Sequence, residues 1–196
     1  MSTAEQSLNL PNILTFTRIL LVPLYIVLFS DQSPERAMAA AAVFGIAAFT
    51  DLLDGYLARK HAQVTTIGRL LDPIADKFLV IAGLVLLVQV QKIEAWIAIT
   101  MIAREIGVTG LRAIAAAEGI IVPAGVAGKY KVVLQVTAII LLTLEGALQV
   151  PILSLNTLGF MALIGALVLS VVSGIQYAIE IWQAFKKIGP GVKGAR

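Results

Sequence analysis

Residues 155–185 read LNTLGFMALIGALVLSVVSGIQYAIEIWQAF, and within that run Glu180 is the sole charged side chain. An α-helix crossing a bilayer needs about 20 consecutive apolar residues, because hydrocarbon offers neither water for charges nor partners for open backbone groups. The run meets that requirement, and the rest of the chain has the same character. Of 196 residues, 59% are apolar, which at about 20 per span supplies about six spans. Charged residues make up 14%, against about 25% in an ordinary soluble domain. The mean hydropathy is +0.92. So few charges cannot cover the surface of a soluble domain of this size. Composition therefore excludes a disordered chain, a secreted disulfide scaffold and a nucleic-acid module. With no cysteine, thiolate metal sites and cysteine nucleophiles are excluded as well.

Working outward from that run predicts an all-α integral membrane protein with six transmembrane helices, about Ile13–Phe29, Arg36–Leu57, Ile67–Val90, Ala95–Ala117, Lys131–Leu148 and Leu155–Phe185. Pro11 suits the start of the first, and Asp31-Gln32-Ser33-Pro34 ends it. Small residues from Ala37 to Ala48 would let the second approach its neighbours closely. No linker is long enough to divide the chain, so residues 1–196 read as one domain, with 1–12 a juxtamembrane segment and 186–196 a basic tail. Met1–Leu10 lacks a basic n-region and carries Glu5, so the first apolar stretch reads as a retained span. Arg36 and Lys92 alone among the basic residues fall in connections opposite the termini. Positive charge marks the cytoplasmic face, which predicts both termini cytoplasmic. Trp96 and Trp182, near helix ends, read as interfacial anchors, and His61 as a surface loop residue.

Of twelve acidic residues, four fall between positions 51 and 76. Asp51 and Asp54 are three apart near the end of the second helix. Asp72 and Asp76 are four apart near the start of the third. Both spacings place a pair on one helical face, and antiparallel neighbours would bring the faces together at the cytoplasmic end. One such carboxylate could be a solvated helix end. Four in one small volume repel strongly, and cations remove that penalty. An all-oxygen donor set suits Mg²⁺ or Mn²⁺, and two ions could clamp a phosphate or pyrophosphate. Gly55 and Gly68 leave room for a ligand near the backbone, Arg59 is placed to meet phosphate oxygens, and Pro73 removes a helical hydrogen bond beside Asp72. A cation-coupled transporter is the rival class, but transport favours acids spread along a path rather than gathered at one end.

The run Asp51-Leu-Leu-Asp54-Gly55-Tyr-Leu-Ala58-Arg59, followed after eight residues by Gly68, after three by Asp72 and after three by Asp76, resembles the complete CDP-alcohol phosphotransferase signature. The resemblance implies a fold of six transmembrane helices and transfer of a phosphatidyl group from a CDP-linked lipid to an alcohol with release of CMP. It assigns Asp51, Asp54 and Asp72, with Asp76, to a divalent metal site of two ions, Asp76 to the general base, and Gly55, Ala58, Arg59, Gly68, Asn12 and Thr15 to the nucleotide site. It also implies a multi-pass protein of a bacterial cytoplasmic membrane, and a homodimer, for which Gly107 and Gly110 would permit close packing.

Three further segments are similar to the glycerol 3-phosphate-using bacterial members of that family: Asn9–Arg18, Ala103-Arg104-Glu105-Ile106 with Leu111-Arg112, and Gly128-Lys129-Tyr130-Lys131. The implied partners are CDP-diacylglycerol and sn-glycerol 3-phosphate, the products phosphatidylglycerophosphate and CMP. Inositol phosphate, serine or phosphatidylglycerol remain open as acceptors. Arg104, Arg112, Lys129, Lys131 and Arg18 are the candidates for holding an acceptor phosphate by charge-assisted hydrogen bonds, and Glu105 could orient one of them. A guanidinium as deep as Arg104 requires a partner.

Overall fold

A computed structural model describes the backbone of residues 10–31, 33–61, 66–120, 126–145, 147–148 and 154–188, and side chains over 17–31, 33–50, 77–120, 128, 130–145, 147–148 and 154–186. Six helices follow in order: α1 Leu10–Phe29, α2 Pro34–His61, α3 Thr66–Gln89, α4 Ala95–Ala117, α5 Val126–Leu144 and α6 Leu155–Ile188. No strand occurs among the described residues. α1 packs on α2, α3 on α4 and α5 on α6, each pair consecutive in the chain. Further contacts join α1 to α3, α4 to α6, and α5 to α2 and α3.

Local chemistry sets the helix ends. Ser33 caps α2, its carbonyl accepting from Ala37 N at 2.9 Å, and Pro34 takes the first helical position, where a missing N–H costs nothing. Ser154 starts α6, its hydroxyl accepting from Thr157 N at 3.4 Å. α4 ends in a Schellman turn: Ile120 N donates to Ala115 O at 2.8 Å and Gly119 N to Ala116 O at 3.0 Å, with Gly119 at φ 74°. α3 ends the same way, with Gln91 at φ 58° in the place glycine usually fills. α5 starts a turn earlier than its lysines suggest and stops at Leu144 rather than Leu148. Lys92, from the α3–α4 turn, donates to Leu142 O at 2.8 Å and Glu145 O at 2.7 Å and pairs with the Glu145 carboxylate at 3.0 Å. It thereby satisfies carbonyls that the end of a helix leaves open. His61, expected in a connection, is the last residue of α2. α3 continues through Pro73.

The core is apolar and close-packed. Tyr25, Phe29, Phe44, Leu84, Leu87, Ile97, Ile139, Leu142 and Leu163 are fully or almost fully buried. Tyr25 stacks on Phe29 at 5.7 Å and tilts against Phe44 at 5.2 Å, while its hydroxyl meets Thr143 Oγ1 at 3.3 Å. Ala37, Ala40, Ala41 and Ala47 bury the small-residue face of α2. The outside is apolar too: Leu20, Phe49, Phe78, Ile99, Val133 and Ile175 expose more than half their surface, one from each helix. A soluble monomer rarely presents apolar surface on every side. Among the described residues, the segment Leu155–Lys186 is long and apolar enough to cross a membrane, and Thr17–Phe29, Lys77–Gln89 and Tyr130–Leu144 form shorter apolar runs.

Gly159 decides how closely α5 and α6 pack. A Cβ there would lie 2.8 Å from Leu142 Cγ and 3.0 Å from its Cδ2, while one at Gly165 would meet Leu134 Cδ1 at an ordinary 3.5 Å. Gly159→Ala is therefore expected to destabilise the fold by about 1–3 kcal/mol through overpacking, and Gly165→Ala to leave it near wild type. Thermal unfolding of the two variants in detergent micelles checks the contrast; equal unfolding temperatures would refute it.

Candidate functional site

A shallow, open cleft lies between α3, α4 and α5. Its floor is apolar, made by Val80, Ile81 and Leu84 of α3 and Met101 and Ile102 of α4. Its polar lining is Lys77, Glu105, Lys131 and Gln135. Lys77 directly follows Asp76 in the chain, so the cleft adjoins the helix segment that carries the second aspartate pair.

The charges in the cleft depend on one another. Lys131, from the first turns of α5, is 3% exposed and forms an ion pair with Glu105 of α4. The same Glu105 oxygen accepts from Arg104 Nη1 at 3.2 Å. A carboxylate between two cations offsets the cost of taking an ammonium out of water.

Arg104 itself faces α6. Its Nε donates to the Ser170 carbonyl at 2.7 Å and its Nη2 to Ser173 Oγ at 2.7 Å. Ser173 Oγ in turn donates to Ser170 O at 3.2 Å. Gly174 completes this seat, because a Cβ there would lie 3.1 Å from Arg104 Nε and 3.2 Å from its Cγ. These are the partners a deep guanidinium needs. Arg104 is not among the residues lining the cleft. Arg112, two turns on, is exposed and lies 5.4 Å over the Tyr177 ring of α6, where Ala115, Ile120, Tyr177 and Ile181 form a second, smaller core. Arg18 of α1 is buried, at 1% exposure.

The remaining sequence-derived candidates can be placed only by element. Asp51, Asp54, Gly55, Ala58 and Arg59 belong to the C-terminal part of α2; Gly68, Asp72 and Asp76 to the first half of α3; Asn12 and Thr15 to α1; Lys129 to α5. Their side chains lie outside the described residues. The helical backbone is continuous through all four aspartates, so the three- and four-residue spacings keep helical register, and α2 packs against α3. The donor set is all carboxylate, which fits a hard divalent cation. Among the described residues no group of three or more His, Cys, Asp or Glu could hold a metal.

Sequence reasoning passed over Lys77 and Gln135 in the cleft and Ser170, Ser173 and Gly174 in the Arg104 seat. A signal for the seat was present: Ser170, Ser173 and Gly174 share one face in an apolar stretch of α6. Glu105→Gln is expected to cost about 3 kcal/mol of stability by leaving Lys131 buried beside a neutral amide, and Lys131→Met added to it is expected to recover part of that loss. A double variant less stable than Glu105→Gln alone, measured by thermal unfolding in micelles, would refute the dependence of the pair.

The family model for CDP-alcohol phosphatidyltransferase matches residues 8–182. The CDP-diacylglycerol–glycerol-3-phosphate 3-phosphatidyltransferase of Bacillus subtilis is 40% identical over 194 residues, covering 91% of this chain and 97% of that protein. The protein of the same name from Rickettsia bellii is 38% identical, over 86% and 93% of the two chains. A probable phosphatidylglycerophosphate synthase of Mycobacterium tuberculosis is 35% identical, over 92% and 84%. The matched span takes in the paired aspartates, the Arg104–Glu105 step and the Lys131 region alike, and the chain belongs to the CDP-alcohol phosphatidyltransferase family, a family of transferase enzymes.

Proposed function

We propose that this protein transfers the phosphatidyl group of CDP-diacylglycerol to sn-glycerol 3-phosphate, giving phosphatidylglycerophosphate and CMP. The observation that carries this reading is the near full-length likeness to the Bacillus subtilis enzyme, whose name specifies that donor and that acceptor. The cleft supports it, since it offers an anionic acceptor the Lys131 and Lys77 ammonium groups next to the Asp76 segment.

In the proposed mechanism the acceptor hydroxyl gives its proton to the Asp76 carboxylate. The hydroxyl oxygen forms a bond to the lipid-bearing phosphorus, and the bond from that phosphorus to the CMP oxygen breaks. Asp51, Asp54, Asp72 and Asp76 would hold two Mg²⁺ or Mn²⁺ ions. Such ions, when bound, neutralise pyrophosphate charge and stabilise the leaving CMP. Gly55, Ala58 and Gly68, with Arg59, Asn12 and Thr15, bound the cytidine nucleotide. Lys131 binds the acceptor phosphate, with Lys129, Arg112 and Arg18 adding positive potential at that end. Arg104, the remaining acceptor candidate, stands behind the cleft and would act on this group through Glu105. The six helices span the bilayer with both termini and the active site on the cytoplasmic side. An amphiphilic donor then keeps its acyl chains in lipid while its head group meets the soluble acceptor. The exposed Gly107 and Gly110 of α4, where an added Cβ would meet nothing within 4 Å, suit a homodimer contact.

With labelled CDP-diacylglycerol and a panel of alcohols, glycerol 3-phosphate is expected to be the acceptor that yields product; no product with it would end the reading. Asp76→Asn is expected to lower turnover by at least about 10²-fold, the scale of a lost general base, while CDP-diacylglycerol binding persists. Full activity in that variant would remove Asp76 from the base role. Lys131→Ala is expected to raise KM for glycerol 3-phosphate more than KM for CDP-diacylglycerol, and equal rises would indicate a general electrostatic effect instead.

A further inference from the structure

The acceptor candidates divide into two groups by what they touch. Lys131 and Glu105 line the cleft; Arg104 does not. Three nitrogens of the Arg104 guanidinium are engaged, by the Ser170 carbonyl, Ser173 Oγ and Glu105. A cation held this way faces α6 and not the cleft in which a phosphate would sit. What it does hold is the Glu105 carboxylate, and that carboxylate holds the Lys131 ammonium.

We infer that Ser173 and Gly174 of α6 are positioning residues for acceptor recognition, seating Arg104 so that Glu105 fixes the Lys131 ammonium at the cleft. The inference rests on the glycerol 3-phosphate reading above and extends it to a helix that contributes nothing to the cleft lining. The chain of contact is short and directional. Gly174 leaves the volume the Arg104 stem occupies, since any Cβ would press on Nε and Cγ. Ser173 receives the outer nitrogen, and the Ser170 carbonyl receives Nε. The remaining nitrogen is then aimed at Glu105. Lysine sites that bind phosphate work as point charges on a flexible stem, so their position must be set by neighbours. With Glu105 free to turn, the Lys131 ammonium paired with it would turn as well and lose its fixed place at the cleft.

The test uses the full-length enzyme in mixed micelles, with KM for each substrate and kcat measured separately. Ser173→Ala is expected to raise KM for glycerol 3-phosphate about fivefold, the value of one hydrogen bond, with KM for CDP-diacylglycerol and kcat within about twofold of wild type. Ser173→Thr, which keeps the hydroxyl, restores the wild-type KM. Arg104→Lys abolishes the Ser173 effect, because residues acting through one another are not additive. An unchanged acceptor KM in Ser173→Ala, equal rises in both KM values, or additive losses in the Arg104→Lys background would each overturn the inference. Wild-type enzyme that makes no product from glycerol 3-phosphate would instead sink the function reading itself. If Ser173→Ala lowers the unfolding temperature, Gly174→Ala provides the second arm: the same selective rise in acceptor KM supports the seat, and its absence overturns it.

Discussion

A lysine ammonium buried in a bundle of apolar helices exists only with a carboxylate beside it, and Glu105 provides that carboxylate for Lys131. Much else in this half of the molecule follows from that pair. It joins α4 to α5, two helices with little other direct contact. It draws Arg104 into the same network, and Arg104 in turn joins α4 to α6 through Ser170 and Ser173. Three helices are thus registered by polar groups rather than by packing alone. In an apolar surround a hydrophobic face can slide with little penalty, whereas a hydrogen-bonded charge network cannot.

The six helices were legible in the sequence because charge is scarce and the apolar runs are long. Helix ends were less so. The end of α5 is set by Lys92, a residue about 50 positions away that reads in isolation as a topology marker. Gln91 at positive φ replaces the glycine that would have announced the end of α3. Such features depend on tertiary partners, and no local pattern encodes them.

The site shows the same division. The spacing of Asp51, Asp54, Asp72 and Asp76 is a one-dimensional pattern, so helical periodicity alone groups it into two pairs. The basic residues are different. Arg104, Arg112 and Lys131 look alike as charges in the sequence, yet the structure sends each to a different neighbour: Arg104 to the serines of α6, Arg112 to the Tyr177 ring, Lys131 to Glu105. Sorting them required knowing which helix lies behind each one. Lys77 reads in the sequence only as one more positive charge beside Asp76, and Gln135 as a single polar residue in an apolar run, and neither pattern says which neighbours it will meet.

Lys92 also bears on how the bundle can breathe. Its ammonium serves two carbonyls and a carboxylate at the far end of α5 from Lys131, so parting α5 from the α3–α4 turn there would strand several polar groups at once. That end acts as a clasp. At the opposite end, α3, α4 and α5 enclose an open cleft rather than a packed seam. The bundle is therefore fastened at both ends of α5 by a lysine, with the Lys92 clasp closing a packed turn and the Lys131–Glu105 pair bridging an open cleft, so the cleft can stay open without the helices coming apart.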